Sequence, residues 1–245
     1  MDFSITPVPI WLSALFLITF FFIPPFLIAN AAKKAYDQAG LSNGNKIKKN
    51  IQFFYWIYLI SIGLISLTGA FTVNTLPPRI IIITVIPLFL FYIFYISRKD
   101  WFTIVLNNIR LEQLIFIHVF RFVGVFFFFV HYYGALPKLF ANVGGIGDIL
   151  SAALVFPVIY IIKRKMKWAK TVVWIWNIIG LADIVSVLVI AIYVTRQAIQ
   201  NGENGVLEFG AFPFSWIPAF APATIIFLHI LVFRKLLEKK LRNNS

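Results

Sequence analysis

Long apolar runs separated by short polar loops constrain this chain more than any other feature. A helix needs about 20 residues to cross roughly 30 Å of hydrocarbon, and it satisfies its own backbone hydrogen bonds, which lipid cannot do. Only 13% of the 245 residues are charged and 60% are hydrophobic, whereas a soluble domain carries about 25% charged residues. The sequence therefore predicts an all-α, polytopic membrane protein.

We predict seven transmembrane helices in a single domain, followed by a basic tail. Their approximate ranges are 9–31, 51–73, 80–96, 113–133, 144–162, 171–195 and 212–233, and the tail is 234–245. Pro24 and Pro25 in the first span should bend it and free backbone carbonyls that need a partner inside the bundle. The segment 97–112 has the pattern of a short amphipathic helix on the membrane surface.

The positive charges of the loops alternate along the chain. From the N-terminus onward, the successive loops hold 0, 5, 1, 3, 1, 5, 1 and 5 Lys and Arg residues, and Arg121 lies within the fourth span. Alternate loops thus place 18 positive residues on one side and 3 on the other. The positive-inside rule then puts the N-terminus outside and the C-terminus in the cytoplasm, as in a multi-pass protein of the bacterial inner membrane. Orientation and attraction to anionic lipids explain this basic face, so no nucleic-acid partner is expected.

Ionisable residues inside the spans are the candidate functional residues, because polar groups in lipid are costly and usually face the protein interior. Helical spacing places His118, Arg121, Val125, Phe128 and Tyr132 in one stripe of the fourth span. Arg121 keeps its charge, so it needs a carboxylate, a bound anion or water. Asp183 of the sixth span is the best-placed partner. Three interpretations stay open: a structural Arg–Asp pair, an Arg121 that holds an anionic group, or an Arg121 exposed to water.

Two further polar residues lie toward the predicted outer side. Asp148 follows Gly144, Gly145 and Gly147, and we expect it to form an outer vestibule with His131. A helix N-cap explains Asp148 equally well, because Asp accepts hydrogen bonds from the first free N–H groups of a helix.

His118 and His229 lie at similar depth on different predicted helices. They could ligate one b-type haem, which makes a haem or quinone redox protein an alternative. Without haem we expect no metal site and no cofactor. The chain has no cysteine, which excludes disulfides, iron–sulfur clusters and thiolate nucleophiles. No set of nucleophile, base and orienting group is recognisable, so an enzyme is not favoured.

The central part of the chain carries a recognisable block of residues. It reads Arg121-x-x-Gly124, then Gly134-x-Leu136-Pro137-x-x-Phe140-Ala141, then Gly145-x-Gly147-Asp148. This block resembles one in uncharacterised bacterial polytopic membrane proteins. The resemblance draws attention to Arg121 and Asp148 and implies no activity.

The sequence favours a transporter of a small solute or ion, with a polar cavity among the fourth to seventh helices. Arg121 would hold an anionic group there, and Asp183 would balance it or carry a proton. Besides the redox alternative, a non-catalytic membrane subunit or assembly factor fits the same residues. The lipid bilayer, anionic lipids at the cytoplasmic face and the solute are the expected partners, and a homo-oligomer is compatible with the sequence.

Overall fold

The computed structural model describes residues 5–242, and its regular structure is helical. Seven helices are long and apolar enough to cross a membrane, which confirms the all-α class and the seven predicted spans. The eighth, α4, is short. The helices are α1 (Ile10–Gln38), α2 (Gly44–Leu67), α3 (Ile81–Arg98), α4 (Asp100–Asn108), α5 (Leu111–Tyr132), α6 (Lys138–Lys163), α7 (Ala169–Asn201) and α8 (Trp216–Arg242).

Several helix boundaries differ from the sequence prediction, as the ranges above show, and three of them bear on the site and on the predicted tail. Helix α6 starts at Lys138, directly after Pro137, instead of near Gly144. Helix α8 starts at Trp216 instead of residue 212 and continues to Arg242, so residues 234–242 of the predicted tail extend that helix. The rest of the predicted tail, 243–245, lies outside the described residues. At the start of α6 and the end of α8, hydropathy placed the boundary inside the actual helix because both helices continue past the apolar stretch into polar residues.

Helices α5 and α8 form the centre of the bundle. In the apolar 18-residue core of these two spans, 61% and 78% of the residues are buried, against 22–33% in the same core of the other five spans. Aromatic rings of α1 fill the space against these two helices: Phe16 packs edge-on to Phe126 of α5 at 5.1 Å between ring centroids, and Phe20 packs on Phe220 of α8 at 5.7 Å. The polar side chains in the middle of these two helices therefore lie inside the protein: His118 and Arg121 of α5, and His229 of α8.

Contacts among loops and helix ends show which of them lie together at each end of the bundle. At one end, Lys235 Nζ donates to the Asn107 carbonyl, and Lys34, Arg110 and Lys163 line one cavity. We call this the basic end. At the opposite end, Asn74 donates to the Glu203 carbonyl, and the N–H of Thr6 donates to the carbonyl of Phe212. Successive loops thus alternate between the two ends, as seven consecutive spans require.

The proline pair in α1 is accommodated without ending the helix. Pro25 has no N–H to donate to the carbonyl of Phe21, four residues earlier. The indole nitrogen of Trp56 on α2 donates to that carbonyl instead, at 3.1 Å. The predicted partner for a freed carbonyl is therefore present, and it ties α1 to α2.

The short helix α4 agrees with the prediction, whereas a segment within α5 has a helix type that was not predicted. The segment Asp100–Asn108 is helical, as expected, and its buried face of Phe102, Val105 and Leu106 packs on the bundle. In the middle of α5, residues His118–Gly124 form a 3-10 helix. A 3-10 helix repeats every three residues, so His118, Arg121 and Gly124 follow one another on one face. Such a stretch inside a helix often marks strain or a functional hinge.

Candidate functional site

The Arg121 side chain is fully buried at the centre of the bundle and joins three helices. Its Nε donates to Asp148 Oδ1 of α6 at 2.7 Å, and its Nη2 donates to Asp183 Oδ2 of α7. Its Nη1 lies 3.2 Å from the Gly180 carbonyl and 3.3 Å from His229 Nε2 of α8. Four of the five guanidinium N–H groups thus have acceptors within the protein. We call Arg121, Asp148, Asp183, His229, Asn177 and His118 the Arg121 cluster.

The cluster carries more acid than base. Two carboxylates face one guanidinium, and both histidines are enclosed, with no exposed surface. If both carboxylates are ionised and both imidazoles are neutral, the centre carries one negative charge. An uncompensated charge in a low-dielectric interior is expensive. The arrangement therefore favours uptake of one proton or one monovalent cation at the two carboxylates.

Asn177 of α7 fixes the orientation of His229. Its amide oxygen lies 2.7 Å from His229 Nδ1, and its amide nitrogen donates to the His229 carbonyl at 3.1 Å. Because arginine is only a donor, His229 Nε2 must accept from Arg121. The proton of the neutral ring then lies on Nδ1 and is donated to Asn177. This assignment follows from the hydrogen-bond network.

His118 lies beside His229 and is also fully buried. The two ring centroids are 4.4 Å apart, and Trp176 packs edge-on against His118 at 5.0 Å. Among the described residues, neither ring nitrogen of His118 has a hydrogen-bond partner. Buried polar atoms are rarely left without one, so His118 is a place where water or a transferred proton could be accommodated.

Glycines allow the three helices to approach around the cluster. A Cβ added at Gly124 of α5 would lie 2.7 Å from the Asp148 Cβ, and one at Gly180 would lie 2.7 Å from His229 Cε1. At Gly147 of α6 it would overlap the Asp183 carboxylate. Small residues permit such close contacts between membrane helices. This explains why glycines accompany Arg121 and Asp148 in the central sequence block.

A narrow cavity of about 60 Å³ leads from Asp148 toward the opposite end of the bundle. Its walls include Phe127, Ile184 and Thr195, and it reaches Leu207 in the loop before α8. At roughly 30 Å³ per water molecule, it has room for about two. The Asp183 side chain retains 12% exposure, whereas that of Arg121 has none. Asp148 is thus the member of the cluster that lines this cavity, and Asp183 is its most exposed carboxylate.

The structure brings together five of the seven residues predicted for the site: Arg121, Asp148, Asp183, His118 and His229. Asp148 is not a helix N-cap, because α6 starts at Lys138 and Asp148 lies well inside it. The early start turns Asp148 toward Arg121. The Arg121–Asp183 contact agrees with the prediction, and with both carboxylates bound, the guanidinium presents little free edge to an anionic ligand.

The other two predicted residues lie elsewhere. His131 contacts the Leu136 carbonyl through Nδ1 at 2.7 Å, within the turn between α5 and α6. Tyr132 is 80% exposed. The predicted stripe from Arg121 to Val125 and Tyr132 fails because the 3-10 segment shortens the repeat, so Gly124 follows Arg121 on the buried face and Val125 is 38% exposed.

The contact between the two imidazoles bears on the haem alternative. Axial ligands of one haem stand on opposite faces of the porphyrin, whereas the rings of His118 and His229 touch each other. This geometry gives the haem alternative no support. Within residues 5–242, no group of three or more His, Cys, Asp or Glu side chains is arranged to hold a metal ion.

Asn177 is the member of the cluster that the sequence analysis missed. An amide in an apolar span is a weak signal, since asparagine is uncharged and often only links neighbouring helices. Its position directly after Trp176 on the face that carries Gly180 was the available clue. Only the contact with His229 shows that it belongs to the cluster.

Fold and site together define a multi-pass helical membrane protein with a buried acidic–basic cluster between its central helices. The profile of a family described as "Domain of unknown function (DUF8737)" matches residues 77–237. This is more than half of the 245 residues, and the chain belongs to that family. The matched region includes the whole Arg121 cluster. No curated protein and no solved structure matches the chain.

Proposed function

We propose that the protein transports a small solute or ion across the bacterial cytoplasmic membrane, and that a proton or monovalent cation binds reversibly at Asp148 and Asp183. One observation carries the proposal: two buried carboxylates share a single guanidinium at the centre of the bundle. A structural ion pair needs one carboxylate for one arginine. The second carboxylate leaves an uncompensated buried charge unless a cation occupies the site. This charge favours the binding of a cation, which is one step of a transport cycle.

Asp183 is the group that exchanges the cation in this proposal. Its side chain keeps 12% exposure, and the Ser186 hydroxyl donates to its backbone carbonyl at 2.7 Å. Asp148 lines the cavity that extends toward the opposite end. A cation arriving through that cavity meets Asp148 first and is shared with Asp183, which is bound to the same guanidinium. Arg121 then acts as a fixed counter-charge that holds both carboxylates, and the solute need not contact it.

The direction of the pathway follows from the loop charges. The positive-inside rule places the basic end in the cytoplasm and the opposite end outside. The cavity at Asp148 then opens toward the outer side. His118, one turn of α5 before Arg121, is the member of the cluster that lies on the cytoplasmic side of Arg121. Neither of its ring nitrogens has a hydrogen-bond partner among the described residues, so both are free for onward transfer of a proton.

The test is ion flux into vesicles that contain the purified protein. An internal pH-sensitive dye reports proton entry driven by a potassium diffusion potential, and radioactive sodium reports sodium entry in parallel vesicles. We expect one of the two fluxes to exceed that of protein-free vesicles. Asp183→Asn should reduce it at least roughly tenfold, which corresponds to about 1.4 kcal/mol.

Asp100→Asn is the matched control, because it removes one carboxylate from the exposed start of α4. Its flux should equal that of the wild type. If neither ion enters faster than in protein-free vesicles, or if Asp183→Asn and Asp100→Asn behave alike, the proposal is wrong.

The near-complete hydrogen bonding of Arg121 supports a second candidate, a non-catalytic membrane subunit or assembly factor. In this candidate the cluster only fixes α5, α6, α7 and α8 to one another. The protein would then purify from its native membrane with a larger complex, and variants of Asp183 would change stability without any change in flux.

A further inference from the structure

A second polar cavity lies at the basic end, away from the Arg121 cluster. It has a volume of about 360 Å³ and is formed by the end of α1, the start of α5 and the end of α6. Ligand sites usually span roughly 300–1,000 Å³. Its polar residues are Lys34, Arg110, Glu112, Gln113, Lys163 and Asn30. We call it the basic cleft.

The basic cleft carries an excess of positive charge. Arg110 pairs with Glu112, at 3.4 Å between Nε and Oε1. Lys34 and Lys163 come from different helices, and neither has an ion-pair partner in the part of the chain that the structure describes. Both lysines are exposed and line one cavity, and an anion bound there would be attracted by both positive charges. The cleft is therefore suited to an anionic ligand.

Gln113 adds a buried donor to the same cleft. Only 9% of this residue is exposed. Its Oε1 accepts the Arg110 N–H at 2.9 Å, which caps the start of α5. Its Nε2 is buried and has no hydrogen-bond partner among the residues whose side chains the structure describes. An unpaired buried donor costs about 1–3 kcal/mol, and an acceptor bound in the cleft would remove that cost.

The other wall of the cleft is apolar and faces lipid. It includes Phe26 and Leu27 of α1, Phe116 of α5 and Ile159 of α6. Phe26 and Phe116 are 46% and 42% exposed. A ligand that fills the whole cleft thus has an anionic head and a hydrocarbon tail. Free phosphate would use only the polar half.

We propose that the basic cleft binds the phosphate of an anionic phospholipid, with Lys34 and Lys163 as counter-charges and Gln113 Nε2 as hydrogen-bond donor. One acyl chain lies along Phe26 and Phe116. Basic pockets between membrane helices are known to hold such headgroups. This site is separate from the Arg121 cluster and does not depend on transport.

Native mass spectrometry of the detergent-solubilised full chain tests the proposal. Phosphatidylglycerol is added to one series and phosphatidylcholine to another, and the bound fraction is measured. The wild type should retain phosphatidylglycerol preferentially. Since each Lys near a membrane surface is worth about 1 kcal/mol, Lys34→Ala/Lys163→Ala should weaken phosphatidylglycerol binding roughly tenfold or more.

Two further variants make the test specific. Gln113→Glu keeps an acceptor for the Arg110 N–H and replaces the free donor by an anionic oxygen, so it should weaken binding while α5 still starts at the same residue. Lys46→Ala/Lys49→Ala removes the same charge from exposed positions of α2 at the same end. This control should bind like the wild type.

The outcomes separate the cleft from a general surface effect. Equal losses in Lys34→Ala/Lys163→Ala and in the control would overturn the proposal, as would equal retention of phosphatidylcholine and phosphatidylglycerol. Inorganic phosphate is added in a last series. If it displaces phosphatidylglycerol at comparable concentration, the cleft is a site for free phosphate and the lipid assignment is wrong.

Discussion

Asp148 of α6 and Asp183 of α7 are held by the same guanidinium, one at Nε and the other at Nη2 of Arg121. The two carboxylates therefore depend on one another through a residue of α5, and a change at one alters the charge balance of the other. This arrangement joins three helices through one side chain. We therefore expect variants of Arg121 to change mainly the stability, and variants of Asp183 to change mainly ion binding.

Arg121→Met should strongly destabilise the protein. It removes the only buried cation of the cluster and leaves two carboxylates without a counter-charge. Loss of one partner of a buried ion pair typically costs about 3–5 kcal/mol. Denaturant unfolding in detergent measures the free energy. Arg196→Met, at an exposed position of α7, is the control and should unfold like the wild type.

Removing all three charges together gives the complementary measurement. Arg121→Met/Asp148→Asn/Asp183→Asn replaces the ion cluster by neutral side chains, and uncharged replacements of buried ion pairs are often neutral or stabilising. This triple variant should regain most of the stability that Arg121→Met loses. If the triple variant is as unstable as Arg121→Met, shape at position 121 dominates and charge does not.

Asp183→Asn should leave the fold nearly as stable as the wild type, within about 1 kcal/mol. It leaves one guanidinium opposite one carboxylate, which balances the charges, and the amide oxygen can still accept from Nη2. The same variant should lose most of the ion flux. Stability is measured by unfolding in detergent and flux in vesicles, on one preparation. A large loss of stability with normal flux would contradict both expectations.

The sequence predicted the Arg121–Asp183 pair because two opposite charges at mid-membrane depth have few other partners. It misplaced Asp148, since the glycines before it looked like a helix boundary. Their role is packing: Gly147 lies against Asp183, and Gly124 lies under Asp148. One amino-acid sequence shows that a glycine is present but does not show which helix packs against it. The packing partners of these glycines determine which side Asp148 faces.

His229 should carry its proton on Nδ1. Asn177 Oδ1 accepts from that nitrogen, and Nε2 accepts from Arg121. Nuclear magnetic resonance of protein with ¹⁵N-labelled histidine distinguishes the two tautomers by the shifts of the ring nitrogens. Asn177→Leu removes both hydrogen bonds that Asn177 makes with His229 and should cost about 1–3 kcal/mol. A wild-type His229 protonated on Nε2 would show that the network is assigned wrongly.

The 3-10 segment of α5 is a second feature that could not be predicted from the sequence. Residues 118–124 are apolar except for His118 and Arg121, and nothing in their composition distinguishes them from an α-helix. Several hydrogen bonds of Arg121 to α6, α7 and α8 can stabilise the tighter repeat. Those partners come from distant parts of the chain, so the local sequence pattern does not reveal the 3-10 segment. The predicted stripe through Val125 and Tyr132 assumed a regular α-helix and fails for that reason.

Gly180→Ala should perturb the cluster without changing any charge. The added Cβ would lie 2.7 Å from His229 Cε1 and 3.3 Å from Arg121 Nη1. Overpacking of this kind typically costs about 1–3 kcal/mol. The loss is measured by unfolding in detergent. Ile179→Ala changes the neighbouring residue, which is 49% exposed, and should cost less. Equal effects would mean that α7 and α8 adjust freely at this contact.

Single cysteines should establish the orientation of the chain, because it has no native cysteine. Ser42→Cys lies in the loop between α1 and α2 at the basic end, and Glu203→Cys lies after α7 at the opposite end. With the basic end in the cytoplasm, a membrane-impermeant maleimide should label Glu203→Cys in intact cells. It should label Ser42→Cys only after permeabilisation.

The reverse labelling pattern would contradict the orientation. Labelling of both positions from outside would contradict the five membrane spans, α2, α3, α5, α6 and α7, that separate them. The expected pattern has two structural consequences. The basic cleft with Lys34 and Lys163 would face the cytoplasmic leaflet, where anionic lipids create a negative surface potential. The cavity that reaches Asp148 would open on the external side, so external pH should control occupancy of the two carboxylates before it affects the cytoplasmic half of the bundle.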